Sequence, residues 1–336
     1  MNRVLLFDTA IATSNLGDEI IFSSAKEGLA PVIGNVSLFR LGTHVVNYSP
    51  FQMFLHHYVR PYRKIQWIVE NADLKLICGT NLLVENLLAP RPQFMLNPSN
   101  KSLDYGAVLV GVGRVANYGR FKNKYTEDLY KRVLSTEYIH SVRDDETKAV
   151  LETIGVRSIN TGCPTLWMMT ADRCAKIPRK KADNAIFSVS GYETLKDPKR
   201  DKYQIECVLK NYQEVYAWIQ TAVDEDYIRS MVNPEENGIQ MIYSLERYEE
   251  ILTEGNVDYI GSRLHGGVFA LQHNVRSLII SVDERAEGFH KSTDLPILKR
   301  EEIETLESRI NGEIVTNIRV REKEINEFLA QFMQQD

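Results

Sequence analysis

Two α/β domains, each with a parallel sheet covered by helices, are predicted from three observations. Short apolar runs alternate with segments of helical spacing in both halves of the chain. A chain of 336 residues suits two domains of medium size better than one core. An apolar fraction of 43% and a charged fraction of 25% are typical of a soluble globular protein. We therefore expect two Rossmann-like domains facing a cleft.

The N-terminal half shows the alternation clearly. Its predicted strands lie at 4–7, 74–78, 107–112, 138–142 and 158–160. Its predicted helices lie at 18–29, 126–136 and 144–154. Glycines follow two of these strands, as Gly79 and as Gly111 with Gly113. Because ligands of parallel sheets bind at the carboxyl ends of the strands, these glycines mark candidate binding loops.

The C-terminal half repeats the alternation. Its predicted strands lie at 185–189, 227–232, 257–260 and 277–282. Its predicted helices lie at 203–219 and 245–252, after residue 267, and within 301–332. A polar and basic stretch at 171–184 predicts an interdomain linker. This divides the chain into an N-terminal domain at 1–170, the linker, a C-terminal domain at 185–310, and a C-terminal helix at 311–336.

Charge, cysteines and hydropathy exclude several classes of function. A net charge of −5 without a long Lys/Arg block argues against a nucleic-acid binder. The four cysteines are scattered, which favours reduced thiols in the cytoplasm over a disulfide framework or a zinc site. No run reaches the roughly 18 apolar residues that cross a bilayer. Peripheral contact with the inner face of a membrane stays open.

The most informative stretch is the turn from the strand at 257–260 into the following helix. Free backbone N–H groups and the helix dipole make such a turn favourable for an anion. Gly266 and Gly267 allow close approach to the backbone. Arg263 offers a bidentate positive group, and His265 offers a proton that is transferable near neutral pH. The alternative is a structural turn with a hydrogen-bonded histidine.

Two further turns carry candidate residues. Near the N-terminus, Asn15 or Asp18 caps the first helix, or Asp18 lies at the cleft and accepts a proton. In the middle, Arg143 either pairs with the acids that follow it or binds a carboxylate or phosphate. Asn81 and Arg285 also follow predicted strands, although a solvated loop explains Arg285 nearly as well. A dinucleotide fingerprint is absent from the sequence.

Five motifs follow one another along the chain in a recognisable order. They are Asn15-Leu16-Gly17-Asp18-Glu19, Ala72-Asp73-Leu74 with Gly79-Thr80-Asn81-Leu82, Ser141-Val142-Arg143-Asp144, Thr161-Gly162-Cys163-Pro164 and Ser262-Arg263-Leu264-His265-Gly266. In order and spacing they resemble the polysaccharide pyruvyl transferase family, from about residue 4 to about residue 296. The last motif is the most specific. The chain departs from the family pattern at Cys163, where acidic residues are frequent, and at Thr80-Asn81, where glycines are usual.

The resemblance implies a fold similar to glycosyltransferase-B (GT-B) enzymes, with the acceptor on the N-terminal domain and the donor on the C-terminal one. It implies transfer of a pyruvyl group from phosphoenolpyruvate to two hydroxyls of a sugar, with a cyclic ketal as product, in cell-surface polysaccharide biosynthesis. Positions that are catalytic or donor-binding in the family fall on Asp18, Arg143, Arg263 and His265. Neither a metal nor another cofactor is expected.

The chemistry of that reaction assigns a role to each candidate. His265 is the expected acid and Asp18 the expected base. Arg143 and Arg263 are expected to converge on the phosphate and carboxylate of the donor. The other predicted substrate-binding residues are Leu264, Gly266, Gly267, Asn15, Asn81 and Arg285. The expected partners are phosphoenolpyruvate and a saccharide acceptor, either lipid-linked or nucleotide-linked, and a homo-oligomer is compatible with the sequence.

Two other functions remain open at this point. A GT-B glycosyltransferase would use the same helix start for the diphosphate of a nucleotide sugar. It would also need an acid for the ribose hydroxyls, such as Glu284 or Glu287. A relative that binds sugar without catalysis would keep the fold and lose the chemistry, and the two motif departures support it.

Overall fold

The structure is a computed structural model that describes residues 2–43, 67–89, 106–115 and 118–333. Up to residue 170 the elements are β1 (Arg3–Asp8), α1 (Leu16–Gly28), α2 (Ala30–Ile33), β2 (Ser37–Gly42), β3 (Leu74–Cys78), β4 (Asn81–Leu83), β5 (Val108–Val110), β6 (Gly113–Arg114), α3 (Lys124–Val133), β7 (His140–Val142), α4 (Asp145–Glu152), β8 (Ser158–Asn160) and a 3₁₀ turn at Pro164–Leu166. The five predicted strands of this half are present, with bounds shifted by at most two residues.

The remaining elements follow the same alternation. They are α5 (Ala171–Lys176), β9 (Asn184–Ser188), a 3₁₀ turn at Glu193–Leu195, α6 (Pro198–Asn211), β10 (Val215–Trp218), α7 (Ala222–Met231), β11 (Ile239–Ile242), α8 (Leu245–Glu254), β12 (Val257–Gly261), α9 (Leu264–Gln272), β13 (Ser277–Ser281), α10 (Glu284–Thr293), β14 (Ile297–Lys299), a 3₁₀ segment at Arg300–Thr305, α11 (Leu306–Asn311) and α12 (Glu322–Met333).

The chain forms two compact units. Unit 1 comprises Met1–Thr13, Ile21–Trp167 and Arg321–Asp336, and unit 2 comprises Ser14–Ile20 and Met168–Val320. This division differs from the predicted one, since the main part of unit 2 runs from Met168 to Val320 and includes the predicted linker. The start of α1 groups with unit 2, and the C-terminal helix groups with unit 1, where the ring of Phe328 lies 6.3 Å from that of Trp167.

Unit 1 contains a four-stranded sheet in the order β2-β1-β3-β5, and every pairing in it is parallel. Two short parallel pairs, β4–β6 and β7–β8, extend the same half of the chain. Its core is built from the apolar runs of the sequence, including Leu5, Phe7, Ile77 and Leu109. The predicted α/β class is confirmed.

Unit 2 contains a six-stranded parallel sheet in the order β11-β10-β9-β12-β13-β14. Numbered along the chain, this is the order 3-2-1-4-5-6 of a Rossmann sheet. The strand order reverses between β9 and β12, whose residues Ser188 and Gly261 are register partners. All residues of β12 are buried, as expected for a parallel strand that is covered on both faces.

Two sequence assignments in unit 2 are wrong, because tertiary context outweighed local pattern. The segment 203–219 is not one helix, since α6 ends at Asn211 and β10 pairs with both β9 and β11. The predicted strand at 227–232 is the end of α7, which begins at a capping box that Asp224 completes. Residues 312–321 interrupt the predicted C-terminal helices. Strands β2, β11 and β14 were not predicted.

The stretch predicted as a linker, residues 171–184, begins with a helix. The Thr170 hydroxyl accepts the Arg173 N–H at 3.3 Å and caps α5. Cys174 and Ile177 on this segment are buried. The basic residues therefore flank a short packed helix of unit 2.

The buried side chain of His140 hydrogen-bonds to two backbone segments of unit 1. His140 Nδ1 accepts the Leu109 N–H at 3.1 Å, so Nε2 carries the proton that is donated to the Ser135 carbonyl at 2.9 Å. Burial lowers the pKa of His140 from 6.5 to about 4. The ring is therefore neutral at pH 7, and protonation would place a second N–H against that of Leu109.

Stability of unit 1 is therefore expected to fall with acidification. The folded pKa lies below the unfolded one, so the contribution is complete above pH 6.5 and is lost as the pH falls towards 4. Chemical denaturation should show a loss of roughly 2 kcal/mol between pH 7 and pH 5. His140→Gln should remove this dependence of stability on pH, whereas His290→Gln, at an exposed site, should retain it. An unchanged slope in His140→Gln would refute the assignment.

Candidate active site

The carboxyl ends of β9 and β12 lie side by side where the strand order of unit 2 reverses. This is the position at which open α/β sheets bind their ligands. Ser190, Gly191 and Tyr192 follow β9. The predicted anion turn, Gly261 to Gly267, follows β12 as expected, but α9 begins at Leu264, so the last residues of the predicted turn form the first turn of that helix.

The start of α9 has no side-chain cap. Arg263 occupies the N-cap position, and its side chain makes no capping hydrogen bond. The backbone of the turn is fixed, since the Arg263 N–H donates to Ser188 Oγ at 3.0 Å and the Tyr259 hydroxyl donates to the Arg263 carbonyl at 2.7 Å. Ser262 Oγ is buried and has no hydrogen-bond partner among the described residues. A fixed and uncapped helix start of this kind favours an anion.

Arg263 is held by the protein itself. Its Nε donates to Asp224 Oδ2 at 3.0 Å, and its Nη2 contacts Asp224 Oδ1 and donates to Thr221 Oγ1 at 2.8 Å. Asp224, fully buried, also accepts the N–H groups of Thr221 and Gly191 at 3.0 and 2.8 Å. The positive group that the sequence offered to a ligand is thus neutralised by Asp224. Among the described residues only Nη1 is left without a hydrogen-bond partner.

This pairing makes Arg263 a strong determinant of stability. Arg263→Ala is expected to destabilise the protein by about 3 kcal/mol, because it leaves the buried Asp224 carboxylate without its cation. Thermal unfolding of the variant measures the loss. The double variant Arg263→Met with Asp224→Asn should recover part of it, since no uncompensated charge remains. If Arg263→Ala melts like the wild type, the pair is not structural.

His265 is the second residue of α9 and is buried. Its ring meets the ring of Phe289 from α10 edge-on, with the centroids 6.4 Å apart. Leu264 before it is also buried. An imidazole at the first turn of an uncapped helix lies where an anion would bind, so the structure keeps His265 as a candidate acid.

The two glycines after His265 serve packing. A Cβ on Gly266 would lie 3.0 Å from the Trp218 indole, and one on Gly267 would lie 2.6 Å from Ile279 Cγ1. Tyr248 stacks on Trp218 and donates its hydroxyl to the Gly266 carbonyl at 2.9 Å. These contacts draw α9 onto the sheet. Packing alone therefore requires glycine at both positions, and the expectation that they also admit a ligand stays a prediction.

The start of α1 lies in unit 2, beside the end of β10. Gln220 donates from Nε2 to Asn15 Oδ1 at 2.9 Å, and its carbonyl accepts the Leu16 N–H at 3.0 Å. Asn15 Oδ1 also accepts the Gly17 N–H at 3.0 Å, so Asn15 caps the helix. Gln220 Oε1 lies 3.4 Å from the Trp218 Nε1, and Trp218 packs against Gly266. A short series of contacts therefore connects the start of α1 to the first turn of α9.

Asp18 stands in the first turn of α1 and is largely buried. The sequence assigned it to the N-terminal domain, opposite His265. The structure groups residues 14–20 with unit 2, which contains His265. A carboxylate at a helix start is held in its ionised form, which suits a base.

Arg143 in unit 1 has few partners. It follows β7, and its side chain is 8% exposed. Its Nε lies 3.3 Å from Asp144 Oδ2, while Asp144 Oδ1 caps α4 by accepting the Thr147 N–H at 2.6 Å. Neither Nη makes a hydrogen bond to another described residue. A Cβ at Gly113 would collide with the guanidinium, so glycine is what lets Arg143 lie there.

Asn81 flanks the same glycine from the other side. It is the register partner of Gly113 in the β4–β6 pair, and its Oδ1 is buried without a hydrogen-bond partner among the described residues. Gly79 and Gly111, expected to cradle a ligand, instead pack against each other, with a Cβ on Gly79 falling 2.6 Å from the Gly111 carbonyl oxygen. Asn81 and Arg143 thus remain candidates for binding a ligand at this edge.

Cys163 lies near Arg143 but adds no charge to its surroundings. The thiol is buried, and burial raises its pKa, with a smaller lowering effect from Thr165 and from the charge of Arg143. Thr165 donates its hydroxyl to Sγ at 3.2 Å. The neutral thiol supplies no counter-charge to Arg143, whose contact with a carboxylate is the 3.3 Å approach of Nε to Asp144.

Arg285 is a surface residue of unit 2. Its Nε donates to Asp283 Oδ2 at 2.8 Å, and Asp283 caps α10. Its side chain is 43% exposed. The interpretation as a solvated helix start therefore fits Arg285, while Glu287 on the same helix lies 4.0 Å from Lys299.

The described residues contain no group of three His, Cys, Asp or Glu side chains that could hold a metal. None of the helices in the described part of the chain is long and apolar enough to span a membrane. Sequence reasoning missed Asp224, Thr221, Gln220 and Tyr192. The capping-box pattern of Thr221 and Asp224 could have revealed the start of α7, had β10 been recognised before it.

Solved structures with the same fold are enzymes of nucleotide-sugar chemistry. UDP-GlcNAc 2-epimerase from Methanocaldococcus jannaschii aligns with a TM-score of 0.58 at 12% identity over 99% of each chain. UDP-N-acetylglucosamine 2-epimerase from Rickettsia bellii aligns with a TM-score of 0.53 at 13% identity over 99% of this chain and 95% of its own. S. aureus MnaA in complex with UDP aligns with a TM-score of 0.53 at 12% identity, over 98% of this chain and 95% of its own. The chain has the GT-B fold, as predicted.

Sequence comparison identifies the family. No curated protein matches the chain at a significant level. The family model for polysaccharide pyruvyl transferase matches residues 15–284, a range that begins at Asn15 and includes Asp18, Arg143, Arg263 and His265. Because this match covers well over half of the 336 residues, the chain belongs to the polysaccharide pyruvyl transferase family, whose members are transferases of polysaccharide biosynthesis.

Proposed function

We propose that the protein transfers the pyruvyl group of phosphoenolpyruvate to two hydroxyls of a saccharide and forms a cyclic ketal. The start of α9 supports this function most directly. It combines an uncapped helix N-terminus, a buried serine hydroxyl without a partner and a buried histidine, at the strand-order reversal of a Rossmann sheet. Family membership supplies the reaction class.

The donor molecule carries a phosphate and a carboxylate on three carbons. The α9 N-terminus and Ser262 Oγ suit the phosphate, since backbone N–H groups and the helix dipole both favour an anion. Arg143 supplies the second cationic group, through two Nη atoms without partners among the described residues. Arg263 holds the turn in place by its contacts with Asp224, and its Nη1 is left to contact the donor.

His265 acts as the acid and Asp18 as the base. His265 protonates the methylene carbon of the donor, which gives a methyl group and an oxocarbenium centre at C2. The first sugar hydroxyl adds to C2 and gives its proton to Asp18. The C2–O bond to phosphate then breaks, and the second hydroxyl closes the ring. The two sugar hydroxyls lose one proton each. One of these protons replaces the proton that His265 gave to the methyl group, and the other leaves on inorganic phosphate.

The acceptor is a saccharide bearing a lipid or a nucleotide. A lipid-linked saccharide keeps its lipid in the bilayer, so for that acceptor the reaction takes place in the cytoplasm at the inner face of the membrane, with peripheral contact by the enzyme. A homo-oligomer is compatible with this arrangement.

A nucleotide-sugar glycosyltransferase is the second candidate. Its support is that the start of α9 also suits a diphosphate and that UDP-GlcNAc 2-epimerases share the fold. The acids that it would use for ribose, Glu284 and Glu287, are exposed on α10. Family membership favours the pyruvyl donor over this alternative.

Donor choice separates the two functions. Isothermal titration should show that phosphoenolpyruvate binds and that UDP-GlcNAc does not. Incubation with phosphoenolpyruvate and a panel of saccharides should release inorganic phosphate and give a ketal methyl signal in the NMR spectrum of the product. Binding of the nucleotide sugar alone, with no phosphate released from phosphoenolpyruvate by any acceptor, would overturn the proposal.

A further inference from the structure

Tyr192 is an exposed aromatic residue beside the anion turn. It follows β9, and its ring lies over the guanidinium of Arg263, with Arg263 Cζ 4.5 Å from the ring centroid. Arg263 is buried, whereas Tyr192 is 38% exposed. The ring therefore covers Arg263 on one side and offers aromatic surface to solvent.

The surroundings of this ring are chemically mixed. Gly191 packs so closely on the backbone of Val223 that a side chain there would collide with it, and Val223 is itself exposed. Ser190 Oγ and Ser262 Oγ, at the ends of β9 and β12, are buried and have no hydrogen-bond partner among the described residues. An exposed ring near an exposed apolar residue suits a ligand with one apolar face.

We infer that Tyr192 is a stacking platform for the reacting sugar ring of the acceptor. This rests on the proposed function and names the acceptor subsite within unit 2. Phosphoenolpyruvate has three carbons, two anionic groups and no ring, so it has nothing to lay on Tyr192. A pyranose has an apolar C–H face that packs on an aromatic ring while its hydroxyls face polar groups.

The position of Tyr192 also fits the chemistry. Its ring contacts Arg263, which precedes the candidate acid His265 by two residues. A sugar on this platform would place its hydroxyls beside a donor held at the start of α9, as attack on C2 requires. The acceptor was expected on the N-terminal domain, whereas Tyr192 lies in unit 2.

Steady-state kinetics with acceptor and donor varied separately test this inference. Tyr192→Leu removes the ring, and Tyr192→Met removes it while keeping a long apolar cover over Arg263. Both are expected to raise the acceptor KM about three- to tenfold, with the donor KM and the melting temperature unchanged. Tyr192→Phe keeps the ring and should retain the wild-type acceptor KM. Tyr243→Leu is the matched control, at an exposed tyrosine of the same unit whose hydroxyl donates to Glu225 at 3.0 Å.

The outcomes separate this inference from the proposed function. An acceptor KM within twofold of wild type in both Tyr192→Leu and Tyr192→Met would overturn the platform, as would an equal loss in Tyr192→Phe. A rise in donor KM or a lowered melting temperature in Tyr192→Met would show that the ring only supports Arg263. Failure of the wild-type protein to bind phosphoenolpyruvate, measured by titration without acceptor, would instead count against the proposed function.

Discussion

His265→Gln is expected to lower turnover by about 10²- to 10⁴-fold, because glutamine keeps a hydrogen bond to phosphate but cannot deliver a proton. Rates of phosphate release measure the loss. In D₂O the wild-type enzyme should place one deuterium in the ketal methyl group, since the proton delivered to the methylene carbon exchanges with solvent. The variant should form the same product at the reduced rate, with donor affinity by titration within a few fold of wild type.

Two further variants serve for comparison with His265→Gln. His273→Gln lies at the other end of α9, where the ring contacts the Phe269 carbonyl at 2.8 Å, and should keep wild-type turnover. Asp18→Asn removes the proposed base and should lower turnover without weakening donor binding. Near wild-type turnover in His265→Gln, with deuterium entering at the normal rate, would exclude His265 as the acid.

Much of the fold and of the anion turn could be predicted from the sequence. The strand and helix on either side of Ser262 to His265 are bounded by clear apolar runs, and a strand-to-helix turn has known electrostatics. The parallel α/β class followed from alternation alone. Local pattern was sufficient in these cases because neighbouring residues determine both the elements and the turn.

What the sequence could not give depends on distant residues. Arg263 looked free because Asp224, which neutralises it, lies 39 positions earlier and on another helix. β10 was taken for helix because its pairing with β9 and β11, rather than its own spacing, makes it a strand. Arg143 does pair with Asp144, as one of the two interpretations expected, through a 3.3 Å contact of Nε, while Asp144 also caps α4. For Arg263 and for β10, a tertiary partner decided the outcome.

These contacts predict that the two arginines of the family motifs behave differently, and Arg143→Ala is the decisive variant. It is expected to lower kcat/KM for phosphoenolpyruvate by about 10²- to 10³-fold, because a nearly buried cation that pairs with the anionic donor is removed. Its melting temperature should stay close to wild type, since no buried carboxylate depends on Arg143 as Asp224 depends on Arg263. Arg143→Lys should recover part of the loss, as it keeps the charge without the bidentate geometry.

A substitution at Gly113 tests the role of Arg143 without changing Arg143 itself. Gly113→Ala places a methyl group where the Arg143 guanidinium lies, so the guanidinium must move and donor binding should weaken although Arg143 itself is intact. Arg285→Ala serves as the control, because that exposed side chain is paired with Asp283 and should leave donor kinetics unchanged. Donor titration and melting curves of the three variants decide the matter. Wild-type donor affinity in both Arg143→Ala and Gly113→Ala would show that the cation over Gly113 does not bind the donor, and the second anionic group of phosphoenolpyruvate would need another partner.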